Sequence, residues 1–434
     1  MKIHFIGIGG IGVSALARYF LAQGDEVSGS DGSASEITAD LEKMGIKIFI
    51  GHEAKNIAQA ERVIFSAAVQ ENNVELAEAR RLKIKCQKYA EALGELTKEK
   101  FTIAISGMHG KSTTTAMIGL MLEKAGLDPT VIVGTRLKEW GNSNFRAGKS
   151  EYLVIEADEY DRSFLNHWPK VLVLLNIEEE HLDTYTGGLA DIMATFGEYL
   201  SHLPAGGVLV ANGEDKNIEK LTGQMPAKQF KIERYNSGAV SGLNLKVPGR
   251  HNLSNANAAL AVARILGVDE KIAVESLNDF SGVWRRMEYK GEINGAKVYD
   301  DYGHHPTEIT ATLSGAKELV GKNGKLWCVF QPHQYHRTFD LFEKFVGAFG
   351  AADEVVLLPI YSVAGREDEE IKKQVSSEKL ALRLQAQGRK EDVAYIEDFN
   401  KAEAYLKENL QAGDVCLIMG AGDIYKLTNL LIKA

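Results

Sequence analysis

The sequence contains little cysteine: only Cys86, Cys328 and Cys416 occur among its 434 residues. The three lie far apart, each in or beside an apolar, strand-like run, so we interpret them as reduced core thiols. No apolar stretch approaches the roughly 18 residues that a membrane span requires. The N-terminus has no long apolar segment followed by a small-residue cleavage site, so we expect no signal peptide. These absences favour a cytoplasmic protein without a membrane partner.

The sequence also lacks an excess of positive charge, since it has 50 Lys and Arg residues and 59 Asp and Glu residues. The formal net charge of −9 argues against a nucleic acid held by phosphate neutralisation. No His-x₃-His helix or cysteine partner supports a zinc site, although several histidines fall in loops. The length suggests about three domains, while the oligomeric state is left open.

A phosphate-binding loop is predicted within FTIAISGMHGKSTTTAMIGL, residues 101–120. An apolar strand leads into Gly107-Met108-His109-Gly110-Lys111-Ser112, and a helix follows from Thr113. Backbone N–H groups of such a turn can bind an anion, the lysine can reach outer phosphates and the hydroxyl can bind Mg²⁺. This loop is two residues shorter than the usual G-x-x-x-x-G-K-[ST] pattern. A glycine-rich turn with a surface lysine is the alternative.

A second glycine turn, Gly7–Gly12, follows the first strand with the pattern G-x-G-x-x-G. Asp31 ends the next strand, at the position of an acid that accepts from a ribose or a base. In this interpretation Gly9 allows a pyrophosphate to approach and Gly12 lets the helix pack on the strand. Two phosphate-type loops require two nucleotides, or one nucleotide and a nucleotide-like substrate, which argues against a simple dehydrogenase.

Acidic residues follow two further buried strands, in Glu156–Asp161 and in Glu178–Asp183. Mg²⁺ prefers a few carboxylates together with phosphate oxygens and water, so Glu156 is a candidate ligand and His181 an unusual one. For Asp158, Glu159 and Asp161 a solvated loop carboxylate is the alternative.

Asn252 and Asn255 stand three apart at the start of a helix predicted over 256–266. They can cap that helix or face an adenine edge. The pair Arg285 and Arg286 suits a phosphate contact, with a structural ion pair as the alternative.

The predicted fold is α/β with three domains: a Rossmann-like N-terminal domain over 1–98, a P-loop ATPase-type domain over 99–289 and a Rossmann-like C-terminal domain over 290–434. The residues alone predict an Mg²⁺-ATP site at Lys111, Ser112, Glu156 and His181. They do not identify the acceptor of the phosphoryl group.

The chain resembles the Mur ligases of peptidoglycan synthesis over its whole length. The stretches that carry the resemblance are GIGGIGVSALA, GMHGKSTTT, EADEYDRSF, NIEEEHLDTY, GRHNLSNANAA, DDYGHHPTE and FQPHQYHRT. It implies that ATP phosphorylates the carboxylate of UDP-N-acetylmuramate to an acyl phosphate, which the amine of L-alanine then attacks. Two features favour the alanine-adding branch of the family. One is the stretch FQPH, and the other is Phe196, at a position where several relatives carry a modified lysine. A recycling ligase that adds the murein tripeptide is the alternative.

The resemblance also implies roles for individual residues. The UDP-sugar would contact Gly9, Gly10, Ile11, Gly12, Asp31, Ser66 and His109. ATP would contact Gly107, Gly110, Lys111, Ser112, Thr113, Asn252, Asn255, Arg285, Arg286 and Asp300. Mg²⁺ would be held by Ser112, Glu156 and His181. The amino acid would contact His305, His333 and Arg337, and the catalytic residues would be Lys111, His181, His304 and Arg337. Many relatives have threonine at the position of Ser112 and arginine at that of Gln334.

Overall fold

The computed structural model describes residues 1–181, 184–225, 230–362, 369–389 and 392–432. Across these ranges the chain forms three β-sheets whose strands are mostly parallel. It divides into two compact units. The first comprises Met1–Asn244 and Leu253–Phe280, and the second comprises Leu245–Asn252 and the chain from Ser281 onward. No helix in the described part of the chain is long and apolar enough to cross a membrane.

The first sheet is entirely parallel and has the strand order β3-β2-β1-β4-β5. Its strands are Lys2–Ile6 (β1), Glu26–Asp31 (β2), Lys47–Ile50 (β3), Arg62–Phe65 (β4) and Lys85–Lys88 (β5). Its helices are Ile11–Ala22 (α1), Glu36–Lys43 (α2), Val74–Arg81 (α3) and Tyr89–Glu99 (α4), with a 3₁₀ turn at Ala54–Ile57. The order reverses at β1, so the glycine turn after β1 lies at the switch point where ligands bind in such sheets.

The second sheet has the order β12-β11-β10-β6-β9-β7-β8, in which the β7–β8 pair is antiparallel. Its strands are Phe101–Ser106 (β6), Thr130–Leu137 (β7), Ser143–Arg146 (β8), Tyr152–Glu156 (β9), Val171–Leu174 (β10), Val208–Asn212 (β11) and Lys231–Tyr235 (β12). Its helices are Lys111–Lys124 (α5), Leu189–Leu200 (α6), Lys216–Gln224 (α7), Arg250–Leu266 (α8) and Glu270–Asp279 (α9), with 3₁₀ turns at Lys138–Trp140 and Tyr160–Asn166. Because β9 and β10 flank β6 in parallel, their carboxyl ends border the phosphate loop.

The third sheet has the order β13-β14-β18-β15-β16-β17. Its strands are Glu288–Ile293 (β13), Ala296–Asp301 (β14), Leu326–Phe330 (β15), Glu354–Leu357 (β16), Val393–Tyr395 (β17) and Val415–Met419 (β18). Its helices are Pro306–Lys317 (α10), Tyr335–Asp340 (α11), Phe342–Ala348 (α12), Glu369–Gln374 (α13), Ser377–Gln385 (α14), Phe399–Asn409 (α15) and Tyr425–Leu431 (α16). The neighbouring strands β14, β18 and β15 are parallel, so the loops after them meet at one edge.

The cores consist of the apolar runs that the sequence indicates as strands. Ile103, Val173 and Phe330 are fully buried in β6, β10 and β15. Phe196 on α6 is also buried and packs edge-on against Phe164, with ring centroids 5.0 Å apart. The residue that stands in place of the modified lysine of several relatives is therefore a core side chain here.

The structure differs from the sequence-based prediction in several elements. Helix α8 begins at Arg250 rather than at residue 256, because Pro248 and Gly249 end the preceding loop and the polar residues that follow continue the helix. Strand β13 begins at Glu288 and pairs antiparallel with β14, so it crosses the predicted boundary between 289 and 290. Strands β7, β8, β11, β12, β13 and β17 were missing from the prediction. The predicted domain bounds remain predictions.

Candidate active site

The phosphate loop requires glycine at two positions. Gly107 has a φ of 131° and Gly110 a φ of 85°, both in the region that favours glycine. A Cβ at Gly107 would lie 2.9 Å from the backbone nitrogen of Asn176. A Cβ at Gly110 would lie 2.6 Å from Oδ1 of Asn255. The turn therefore leaves room only for backbone, and α5 begins directly after it at Lys111, two residues earlier than predicted.

Asn176 holds the phosphate loop to the end of β10 with two hydrogen bonds. The backbone N–H of His109 donates to Oδ1 of Asn176 at 2.8 Å, and Nδ2 of Asn176 donates to the carbonyl of His109 at 2.9 Å. His109 also lies 3.7 Å from the Glu178 carboxylate. Asn176 is not among the site residues predicted from the sequence. Its position could have indicated a role, because Asn176 is the first residue of NIEEEHLDTY and follows a buried strand.

Lys111 is bound inside the loop by Glu159, for which the sequence offered a solvated loop carboxylate as the alternative. Its ammonium donates to Glu159 at 2.8 Å and to the carbonyls of Gly107 and Met108 at 2.8 and 3.2 Å. Glu159 is fully buried, so its interpretation as a solvated loop carboxylate is wrong. Burial opposes the charge on Lys111, but the surrounding carboxylates, Glu159 foremost, outweigh it and raise the pKa of the lysine.

Ser112 and Glu156 form a pair of hard oxygen donors beside Lys111. The Ser112 hydroxyl donates to the Glu156 carboxylate at 2.9 Å, and the N–H of Gly134 donates to the same carboxylate at 2.8 Å. A hydroxyl and a carboxylate at the start of a phosphate-loop helix are the donor set that Mg²⁺ takes from a protein. Thr113 follows in α5 and is buried.

His181 contacts the same buried carboxylate, Glu159, that binds Lys111. Its Nε2 is 3.4 Å from the Glu159 carboxylate, and its backbone has a φ of 54°. Burial alone would lower the pKa of the imidazole, but the hydrogen bond to Glu159 raises it. A metal ion binds the neutral ring. As a ligand, His181 would use Nδ1 while Nε2–H donates to the Glu159 carboxylate.

Asn252 and Asn255 lie within α8, so neither caps it, and that alternative is wrong. Asn252 donates from Nδ2 to the carbonyl of Pro248 at 2.7 Å. Asn255 is buried, and its side-chain oxygen faces Gly110 of the phosphate loop. The structure therefore places Asn255 against the loop in the first unit, as a nucleotide contact requires.

The first glycine turn brings together Gly7, Gly9 and Asp31. Gly7 has a φ of 78°, and the N–H of Gly9 donates to Oδ2 of Asp31 at 2.9 Å. A Cβ on Gly9 would lie 2.8 Å from that oxygen. Ser66, at the end of β4, contacts the turn, because its Cβ lies 3.0 Å from where a Cβ on Gly7 would stand.

Helix α1 starts at Ile11 after Gly10, as the phosphate-binding interpretation requires. The carbonyl of Ile11 accepts a hydrogen bond from Asn144. Gly12 lies close to an aromatic ring, since a Cβ there would lie 3.0 Å from the hydroxyl and ring of Tyr89. That this glycine lets the helix pack on the strand stays a prediction.

In the second unit Arg285 forms a structural ion pair, which was the alternative to a phosphate contact. Its side chain is 3% exposed and donates to Asp300 at 3.1 Å. It also donates to the carbonyls of Gly420 and Gly422 at 2.6 and 3.2 Å. Arg286 pairs with Glu308 at 3.1 Å. These contacts connect the end of β14 with the turn after β18.

The loops after β14 and β15 bring His304, His333 and Arg337 together. The rings of His304 and His333 have centroids 6.0 Å apart, and Arg337 lies 3.3 Å from Nδ1 of His333. Burial, followed by the charge of Arg337, lowers the pKa of His304 well below its usual value. His305 is buried and caps α10, because its Nδ1 accepts from the N–H of Thr307 at 3.4 Å.

Three family descriptions match consecutive parts of the chain. Residues 2–101 match the Mur ligase family, catalytic domain, residues 105–241 match the Mur ligase middle domain, and residues 285–422 match the Mur ligase, glutamate ligase domain. The UDP-N-acetylmuramate–L-alanine ligase of Clostridium botulinum is 40% identical over an alignment 455 residues long, gaps included. The alignment covers 99% of this chain and 97% of the relative. The chain belongs to the Mur ligase family.

Solved structures resemble this Mur ligase over its whole length. The UDP-N-acetylmuramate–alanine ligase of Thermotoga maritima superposes with a TM-score of 0.82 at 29% identity, covering 100% of this chain and 98% of the other. A murein peptide ligase of Psychrobacter arcticus has a TM-score of 0.73 at 24% identity and covers 99% and 98%, which shows the shared fold. The predicted three-domain α/β fold, the family resemblance and the prediction of an ATP-dependent ligase are confirmed.

Proposed function

We propose that this Mur ligase uses ATP to join L-alanine to the carboxylate of UDP-N-acetylmuramate, forming a peptidoglycan precursor. The observation that carries the proposal is the 40% identity over 99% of the chain to a ligase of that name. A carboxylate is a poor electrophile until one of its oxygens becomes a leaving group. Transfer of the γ-phosphoryl group of ATP to that oxygen gives an acyl phosphate. The amine of L-alanine then attacks, and the amide, ADP and phosphate result.

The phosphate loop supplies the charge that this phosphoryl transfer requires. Backbone N–H groups at the start of α5 bind phosphate oxygens, and the Lys111 ammonium neutralises the transferred group. Lys111 must exchange its contact with Glu159 for one with phosphate. The oxygens of Ser112 and Glu156 suit Mg²⁺, with His181 as a further ligand, and Mg²⁺ would supply neutralisation of the phosphate oxygens. Asn255 would contact the adenine together with Asn252.

The Gly7–Gly12 turn would bind the pyrophosphate of the UDP-sugar. Helix α1 presents its N-terminus directly after the turn, where the helix dipole favours an anion. Asp31 orients the turn through Gly9 and would accept from the ribose or the base. Ser66 and His109 would contact the remainder of this substrate. The two loops thereby serve two different phosphate-bearing molecules.

The histidine and arginine cluster of the second unit would bind the amino acid. Arg337 can pair with the carboxylate of L-alanine, because a guanidinium forms two parallel hydrogen bonds with such a group. His304 is held in its neutral form, and its Nδ1 hydrogen-bonds the carbonyl of Tyr302 at 3.1 Å. That bond keeps the proton on Nδ1, so Nε2 is the nitrogen able to accept a proton from the attacking amine. His305 and His333 would orient the side chains of Arg337 and His304.

Phosphate release with defined combinations of substrates tests the proposal. We expect release with ATP only when UDP-N-acetylmuramate and L-alanine are both present, and D-alanine serves as the matched control. Release that requires the murein tripeptide instead of L-alanine would identify the recycling ligase. Release that requires neither acceptor would refute a ligase of this class.

A further inference from the structure

A carboxylate with no assigned role is buried beneath the first glycine turn. Glu75, at the start of α3, is fully buried and accepts hydrogen bonds from the hydroxyl of Ser30 and from Nδ2 of Asn56, the latter at 2.6 Å. Nε2 of His4 lies 3.6 Å from the carboxylate and Nδ1 of His52 lies 3.4 Å from it. Glu75 therefore joins β1, β2, α3 and the loop that follows β3.

Ser30 connects this carboxylate to the turn that would bind substrate. The carbonyl of Ser30 accepts from the backbone N–H groups of Gly7 and Ile8 at 2.8 and 3.0 Å. The next residue, Asp31, accepts from the N–H of Gly9 at 2.9 Å. The end of β2 thus holds three successive parts of the turn, and the Ser30 hydroxyl fixes that end to Glu75.

A buried charge is costly unless it is paired and hydrogen-bonded. Burial of Glu75 opposes its ionisation, but the nearby His4 ring and the hydrogen bonds from Ser30 and Asn56 lower its pKa to about 2. It is therefore an ionised acceptor at neutral pH, and none of its partners belongs to the ATP site.

We propose that Glu75 is a positioning residue for the UDP-sugar: it holds Ser30, and Ser30 sets the Gly7–Gly9 backbone that binds the pyrophosphate. This inference rests on the proposed function, since it takes the turn to be the site of that substrate. Glu75 itself touches only protein.

Glu75→Gln tests the inference because it keeps the shape but turns one acceptor oxygen into a donor. We expect KM for UDP-N-acetylmuramate to rise by about tenfold or more, the effect of one poorly paired buried polar group. KM for ATP, KM for L-alanine and kcat should change by less than about twofold, since the loss affects only the binding of one substrate. Ser30→Ala should act in the same direction, and the double variant should show less than the product of the two single effects.

Glu95→Gln is the matched control, since Glu95 accepts from Arg62, Lys85 and Gln87 at 2.8 to 2.9 Å on the same sheet. It should leave KM for the UDP-sugar unchanged. A Glu75→Gln enzyme that is less heat-stable but has the wild-type KM would overturn the inference, as would an equal rise of KM for all three substrates. If Glu75→Gln does not fold, the same KM comparison on Ser30→Ala decides.

Failure of the proposed function is recognised separately, because the wild-type enzyme would then show no turnover with UDP-N-acetylmuramate. In that case binding of uridine diphosphate is measured by calorimetry on the wild type and on Glu75→Gln. Weaker binding by the variant supports the positioning role of Glu75. Equal affinity, or no binding by either protein, overturns it.

Discussion

The ammonium of Lys111 lies 2.8 Å from the carboxylate of the fully buried Glu159. This carboxylate is the anion beside the lysine that is expected to bind phosphate. The ion pair keeps Lys111 charged and directed into the loop before ATP arrives. In the proposed function ATP would replace Glu159 as the anion beside Lys111, so the lysine would not be desolvated anew.

Lys111→Ala is expected to remain folded and to lose phosphate release by about 10³-fold, the scale seen when one charge-stabilising group is removed. Its melting temperature should fall, because Glu159 loses a buried cationic partner. Adding Glu159→Gln should restore stability without restoring activity. Lys124→Ala is the control at the far end of α5, where Lys124 pairs with Asp279 at 2.8 Å, and should retain activity. Wild-type turnover by Lys111→Ala would refute the phosphate-loop assignment.

Ser112 is expected to matter through its hydroxyl alone. Ser112→Thr keeps that group, so its dependence on Mg²⁺ concentration should match the wild type within about twofold, while Ser112→Ala should need about 10- to 100-fold more Mg²⁺. Phosphate release titrated with MgCl₂ measures both. If alanine and threonine behave alike, Ser112 does not contribute to metal binding.

Alanine variants of Gly110 and Gly126 distinguish damage to the phosphate loop from backbone strain alone. Both have positive φ, 85° and 77°, so alanine at either costs about 1–2 kcal/mol of stability. Only at Gly110 would the new Cβ meet a neighbour, Oδ1 of Asn255 at 2.6 Å, whereas nothing lies within 4 Å at Gly126. Calorimetric titration with ATP should show lost binding for Gly110→Ala and normal binding for Gly126→Ala. Normal binding by both would contradict the described loop geometry.

His167 predicts a pH dependence of stability. Its ring is buried, and within the described chain neither nitrogen has a hydrogen-bond partner; burial, then the charge of His202, lowers its pKa to about 3. The unfolded chain binds this proton near pH 6.5, so stability is lost as the pH falls from about 6.5 toward 3, by about 2 kcal/mol at pH 5.

His167→Leu removes that penalty. Chemical denaturation should show the variant gaining on the wild type as the pH falls from 8 to 5. A difference in unfolding free energy that is the same at both pH values would show that the folded His167 titrates normally.

The sequence predicted the parts of the site that depend on backbone geometry. Gly107, Gly110 and Lys111 follow an apolar strand, and parallel pairing of that strand with its neighbours was enough to place Glu156 beside them. It did not distinguish Glu159 from the other acids of EADEYD. Which of these carboxylates is buried depends on the 3₁₀ turn Tyr160–Asn166, where Asp161 and Arg162 have positive φ.

Contacts between distant segments could not be predicted from the sequence either, because they also depend on how the elements pack. Arg285 suited both a phosphate and an ion pair, and only the adjacency of β14 and β18 places Asp300 and the carbonyls of Gly420 and Gly422 around it. Glu75 lies in no motif of the sequence, and its burial beside Ser30 appears only once β1 pairs with β2 and β4.

The most direct test of the central claim follows the oxygen atoms of the substrate carboxylate. UDP-N-acetylmuramate labelled with ¹⁸O in that carboxylate is incubated with ATP, L-alanine and the enzyme, and the phosphate released is analysed by mass spectrometry. Ligation through an acyl phosphate predicts one ¹⁸O atom in each phosphate, with the other retained in the new amide. Phosphate without label, or label that stays entirely in the sugar product, would contradict the account.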